Sequence, residues 1–146
     1  MYNGKRIAFD YGTVRIGVAI TDQSGILASP SEVLLNDDLI YENLTKLLVE
    51  TNPAYIAIGI PKQLSGKDGS KYQEVIAFVS KLKGIYQGNI FGIDERFTTV
   101  NAAAKLRESG HNSVSSKSII DSAAAVSILD MALEFEKSDG LDKCAL

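Results

Sequence analysis

The hydrophobic pattern of this chain changes period partway along, and that change limits the folds open to it. Lys5 to Asp10 reads as a short apolar strand ending in a carboxylate. Arg15 to Thr21 reads as a second strand, joined to the first by the turn Tyr11-Gly12-Thr13-Val14. Asp22-Gln23-Ser24-Gly25 signals another turn, and Ile26 to Leu35 predicts a third strand. Strands joined by turns this short pair antiparallel, so the amino-terminal part predicts a meander. From Asp38 to Glu50 the period becomes helical, with Ile40, Leu44, Leu47 and Leu48 on one face and Pro53 closing the segment. Ala54 to Ile60 is then a near-continuous apolar run of the kind buried on both faces of a parallel sheet.

The rest of the chain continues this alternation. Pro61 to Ser70 is a polar loop, followed by a helix from about Lys71 to Lys83 with Tyr72, Val75, Ile76, Val79 and Leu82 inward. Asn89 to Asp94 predicts a fifth strand. Thr98 or Thr99 caps a helix carrying Ala102, Ala103 and Leu106, which stops at Gly110. The longest helix runs from Lys117 to about Glu136, with Ile120, Ala123, Ala124, Ile128, Met131 and Phe135 inward. The order βββαβαβαα predicts an α/β fold, a mixed five-stranded sheet flanked by helices.

A chain of 146 residues suits one compact domain. The expectation is a single domain over residues 1–138, with 139–146 as a flexible tail. No apolar run approaches the roughly 20 residues needed to span a bilayer, and the N-terminus lacks a signal-peptide layout. The lone Cys144 rules out an internal disulfide and a cysteine-based zinc site, and a reducing cytoplasm is the expected compartment. A formal net charge of -3 argues against holding a duplex by charge alone. It is compatible with metal-binding carboxylates surrounded by a local basic rim.

Acids stand where a sheet protein exposes chemistry. Asp10 ends the first strand, Asp94-Glu95 ends the fifth, and Asp121 opens the last helix at the head of a stripe with Ala125, Ile128 and Ala132. If the first and fifth strands lie near each other and parallel, their carboxyl ends meet at one edge, the usual site in open α/β sheets. Carboxylates held close repel one another, and a divalent cation relieves that conflict. The donors are all hard oxygens, which suit Mg²⁺ or Mn²⁺, and two such ions stabilise both attacking and leaving oxygens in phosphodiester cleavage. Of Asp94 and Glu95, one reads as a ligand and the other as a partner of Arg96. Asp22 reads as a hairpin-turn residue, and His111 as a loop residue.

Gly12 permits the tight turn after Asp10, and Gly17 inside a strand suggests close approach of another backbone or a ligand. Arg15, Lys62, Lys67, Lys71, Arg96 and Lys117 surround the acids in sequence and could face phosphates. Arg15 and Arg96 are the strongest of these, because each adjoins a carboxylate-bearing turn and a guanidinium binds phosphate in bidentate fashion.

These residues carry a pattern: Asp10-Tyr-Gly-Thr-Val-Arg15-Ile-Gly-Val-Ala19, Gly59-Ile-Pro61 with Gly66, Asp94-Glu-Arg-Phe-Thr-Thr99, and Lys117 with Asp121-Ser-Ala-Ala-Ala. In this order and spacing, over about residues 4–136, they resemble the YqgF family. Its members resemble RNase H-like nucleases and are described both as Holliday junction resolvases and as nucleases of precursor 16S ribosomal RNA. The resemblance implies a ribonuclease H-like fold and carries Asp10, Glu95 and Asp121 over as catalytic acids and metal ligands. Where related resolvases place a Glu at the end of the fourth strand, this chain has Pro61-Lys62, which leaves the remaining carboxylate to Asp94-Glu95. Phe97 stands where the family commonly has Leu.

The expected function is therefore a two-metal phosphodiesterase that processes the 5′ end of precursor 16S RNA. Structured RNA is the favoured partner, in ribosomal precursor particles, with branched DNA as the alternative. A monomer suits RNA trimming, and a homodimer suits a symmetric junction. Two other readings compete. A non-catalytic nucleic-acid-binding module would keep the fold without the reaction. An actin or sugar-kinase-like ATPase would use the acid and Gly-Thr for nucleotide phosphates, but those folds need two such domains and this chain has room for one.

Overall fold

Alternation along the first strands decides which side chains reach which face of the sheet. In the computed structural model, which describes residues 2–61, 69–97 and 113–146 (excepting the side chains of 97 and 113–121), Ile7–Asp10 forms β1 and Arg15–Thr21 forms β2. They pair antiparallel, with Ile7 opposite Ile20 and Asp10 opposite Gly17. Tyr55–Ile60 forms β5 and lies parallel to β1, with Phe9 beside Ile58. Asn89–Asp94 forms β6 and lies parallel to β5, with Gly59 beside Ile93. With β3 (Ala28–Pro30) on the far side of β2, the sheet runs β3-β2-β1-β5-β6. This is the mixed sheet the pattern predicts, a meander continued by parallel strands.

The third strand differs from its expected form. Ile26 to Leu35 is not one strand but two short pieces, β3 and β4 (Leu34–Leu35), both paired with β2. Continuing the register of Ala19 opposite Pro30 would bring Val33 to Ile16, yet Leu34 stands there. One extra residue has been inserted between the two pieces, as in a β-bulge. The shift leaves Val33 half-buried and sends the larger Leu34 into the core that also holds Ile16 and Ile40.

Each sheet face has its own core. Ile7, Phe9, Ile56 and Ile58 pack against α1 (Ile40–Thr51) and α2 (Gly69–Ile85) through Leu44, Leu48, Phe78 and Leu82. The other face carries Ala8, Ala19 and Ala57, and α3 (Ser113–Lys137) lays Ala125, Ile128, Leu129 and Ala132 on it. Small residues on both surfaces let helix and sheet approach closely. In α2 the periodicity misplaces one residue: Ile76 is exposed, and Phe78 takes the inward position, its ring edge-on to Phe9 at 6.1 Å. In α3, Ala124, Met131 and Phe135 are only half-buried, and the fully covered stripe runs one residue over, through Ala125, Leu129 and Ala132.

The C-terminal segment, expected as a flexible tail, is placed on the sheet edge. A 3-10 turn over Leu141–Cys144 buries Leu141, Ala145 bridges Phe91, and the Leu146 N–H donates to the Ile90 carbonyl at 2.9 Å. These contacts satisfy backbone groups that the terminal strand β6 would otherwise leave open. The helix predicted between Thr98 and Gly110 lies outside the described residues. No described helix is long and apolar enough to cross a membrane.

Candidate active site

Asp10 owes its position to the pleat of β1. Side chains alternate along a strand, and Ala8 faces α3 while Phe9 faces the opposite core. Asp10 therefore faces α3, at the carboxyl end of β1, where the chain turns toward β2. Asn36 braces that turn: its Nδ2 donates to the Gly12 carbonyl at 2.8 Å, and its backbone N–H donates to the Val14 carbonyl at 2.9 Å. A Cβ at Gly12 would collide with the Arg15 carbonyl, so this position requires glycine. Arg15 begins β2 at the same edge and is exposed.

Gly59 connects Asp10 with the acid from β6. The parallel register of β1 and β5, continued by one residue, sets Asp10 beside Gly59, about 4.8 Å away across the ladder. Gly59 lies on the α3 face, and a Cβ built on it would stand 2.6 Å from Ile128 Cδ1 and 3.3 Å from Glu95 Cγ. The absent side chain leaves room for the Glu95 stem against Gly59, on the strand that separates Asp10 from Glu95. Asp10 and Glu95 thus share one face, with β5 between their strands. Both are half-buried and engaged by neighbouring groups.

Asp94 belongs to the other side of the pleat. Its Oδ2 accepts from Arg96 Nε at 2.8 Å and from Nη2 at 2.5 Å, and its Oδ1 accepts from the Arg96 backbone N–H at 2.9 Å. The carboxylate holds the Arg96 guanidinium charged, raising its pKa further above the ordinary arginine range. The geometry thus separates the two adjacent acids: Asp94 clamps Arg96, and Glu95 reaches the face that carries Asp10.

α3 runs across the sheet from the carboxyl edge, where Ile128 covers Gly59, to the amino edge. There Glu136 meets Arg6, from the start of β1, at 2.7 Å. Asp121 lies two turns before Ile128 in the same helix, toward the carboxyl edge; its side chain is outside the described ones. The next residue, Ser122, is buried and donates from Oγ to the Ser31 carbonyl at 3.1 Å, which ties this part of α3 to the bulge after β3. Among the described residues no three His, Cys, Asp or Glu side chains gather as a metal site. The two acids on Asp10's face offer oxygen donors alone, a set that fits Mg²⁺ or Mn²⁺.

The other candidates are distributed unevenly. Lys62, Lys67 and His111 lie outside the described residues. Lys117 is in the first turns of α3, its side chain likewise outside, and Lys71 is exposed at the start of α2. Asp22 is the turn residue its sequence suggests: Oδ1 accepts from the N–H groups of Ile26 at 2.8 Å and Leu27 at 3.3 Å, which lowers its pKa. Sequence reasoning missed the role of Gly59 beneath Glu95, although a glycine within an apolar run was a usable signal of close approach. It also missed the Arg6–Glu136 pair, whose partners are 130 positions apart and carry no local signal.

Comparison with known proteins finds similarity over nearly the whole chain. Residues 4–135 match the family model described as "RuvX: Holliday junction resolvase". A protein of Streptomyces coelicolor named "Putative pre-16S rRNA nuclease" is 42% identical over 143 residues, covering 96% of this chain and 86% of that one. One of the same name from Streptomyces avermitilis is 41% identical, over 96% of this chain and 92% of its own length. Among solved structures, T. thermophilus RuvC in complex with a Holliday junction substrate superposes with a TM-score of 0.67 at 13% identity, covering 98% of this chain and 99% of that one. At that identity the likeness concerns the fold, which is that of the RuvC-like, RNase H-type resolvases.

Proposed function

This chain belongs to the RuvX family of Holliday junction resolvases and is a nuclease, and from that premise we propose that it processes the 5′ end of precursor 16S ribosomal RNA in a metal-dependent reaction. The observation that carries this reading is the pairing of Asp10 and Glu95 on one face, with Gly59 left bare between them. Asp121, in α3, is the third acid of this reading. These three acids would hold Mg²⁺ or Mn²⁺, two ions in the full site, which when bound neutralises the phosphate and acidifies a water to supply the nucleophile.

The chain's own residues do the remaining work. Asp10, fixed by the β1 pleat, is the central acid. Glu95 follows β6, on the far side of β5 from Asp10, and its stem lies against Gly59, as does Ile128. Arg15 stands exposed at the same edge, beside the turn after Asp10, where a guanidinium can take two phosphate oxygens at once. Lys62, Lys67 and Lys117 are further candidates for phosphate contact, read from the sequence alone. The overall charge of -3 leaves affinity to such local groups rather than to a general field.

RNA is preferred as substrate because the sequence relatives that cover nearly all of the chain carry a ribosomal-RNA name. The family description favours a second reading, cleavage of four-way DNA junctions. That activity would call for a two-fold dimer presenting two such sites. Purified protein incubated with a precursor 16S fragment or a four-way junction, in Mg²⁺ or Mn²⁺, separates the two. Cleavage of the RNA at the mature 5′ end, with the junction left intact, is the expected result; resolution of the junction alone would overturn the RNA assignment.

A further inference from the structure

We infer that Asp94 and Arg96 form a positioning clamp that aims Glu95 across Gly59 toward Asp10, and that neither residue acts on substrate or ion directly. The inference rests on the assignment of Glu95 to the nuclease site. Its own basis is the geometry of the turn. β6 ends at Asp94, and Glu95–Phe97 forms a single 3-10 turn. A turn this short has almost no internal hydrogen bonding to fix its orientation.

Asp94 supplies that orientation from outside the turn. Oδ1 caps it by accepting the Arg96 backbone N–H at 2.9 Å, and the same carboxylate grips the Arg96 guanidinium through Nε and Nη2. Backbone and side chain of Arg96 are therefore both tied to the last residue of a strand that is itself locked to β5 through six registered pairs. The residue between the two anchors is Glu95. Its rotation about the backbone decides whether its carboxylate lies over Gly59 or swings into solvent. The pleat places Asp94 on the face opposite Asp10, so the clamp works from behind the site.

Planar, charge-assisted pairs of this kind fix geometry more than they add stability, because an arginine that is 55% exposed gives little net energy on pairing. The consequence belongs to the site. A carboxylate held in place binds a cation more tightly than one that must first be ordered, and loss of such outer support costs roughly 10–100-fold in metal affinity or activity.

A mutant cycle on Mn²⁺ affinity, read by titration calorimetry of the full chain, tests this. Asp94→Ala and Arg96→Ala are each expected to weaken Mn²⁺ binding by about tenfold. In a Glu95→Gln background, Asp94→Ala should produce no further loss. Asp94→Asn keeps an acceptor for the Arg96 N–H, should fold as the wild type does, and should show a smaller loss than Asp94→Ala. In cleavage assays the loss should fall on kcat, with KM for the nucleic acid unchanged. Additive losses in the Glu95→Gln background would mean that Asp94 is itself a ligand and would overturn the inference. So would a raised KM from Arg96→Ala alone, which would mark a phosphate contact. Wild-type Mn²⁺ binding by Glu95→Gln would instead overturn the site assignment beneath it. A strong Glu95→Gln loss beside a wild-type Asp94→Ala would sink the clamp alone.

Discussion

Gly59 is the residue on which the two best-placed acids depend. A methyl group there meets Ile128 Cδ1 at 2.6 Å and Glu95 Cγ at 3.3 Å, so both neighbours must move. Gly59→Ala is expected to cost about 1–3 kcal/mol, as overpacking of a close-packed core does, and to lower cleavage by displacing Glu95. Adding Ile128→Val removes the nearer obstruction, so the double variant should recover part of the lost stability in urea unfolding. It should stay impaired in cleavage, since the contact with Glu95 remains. At this scale the sequence was partly legible. Asp10 was readable because an acid that closes an apolar strand has few structural excuses. The choice between Asp94 and Glu95 turned on the face each occupies, and the chain alone left it open until the family resemblance favoured Glu95. The sequence anticipated that one of the two acids would partner Arg96, and the fold of the turn shows that it is Asp94, gripped through two guanidinium nitrogens.

Elements show the same division between local and long-range information. The meander, α1 and the parallel strands follow from period and turn chemistry, and they stand where the pattern put them. The bulge between β3 and β4 does not: composition gives no sign of one inserted residue, and only the register of β2 reveals it. The far end of α3 is likewise set by a distant partner. Arg6 is 4% exposed and pairs with Glu136 at 2.7 Å while donating to the Gly4 and Tyr2 carbonyls. Glu136 and the buried position act on its pKa in opposite directions, and the hydrogen bond to Glu136, the larger effect, leaves it raised. Glu136→Ala would leave a buried guanidinium without its counter-charge, at a cost of about 3 kcal/mol. Replacing both partners together, as Arg6→Met with Glu136→Leu, should cost much less. Urea denaturation of the single and double variants checks this; equal losses would show that the pair does not anchor α3.

The whole molecule separates its two tasks along the strand direction. The amino edge holds structure, with Arg6–Glu136 joining the start of β1 to α3 and Leu141 packing into the core beneath α3. The carboxyl edge carries the acids proposed for the chemistry: Asp10 and Glu95, with Gly59 between them. Net charge hid this arrangement, because a chain at -3 gives no hint of nucleic acid. The order of the motifs pointed to it, since strand ends distant in sequence converge when β1, β5 and β6 are parallel neighbours. The claim that this edge is the hydrolytic centre is tested most directly by cleavage of a precursor 16S fragment in Mg²⁺, comparing wild type with Asp10→Asn, Glu95→Gln and Asp121→Asn at matched folding. Each substitution is expected to reduce cleavage by more than the roughly 100-fold that loss of an outer-shell partner can cost, and chelation of the metal should abolish it. Cleavage by Asp10→Asn at the wild-type rate would contradict the account.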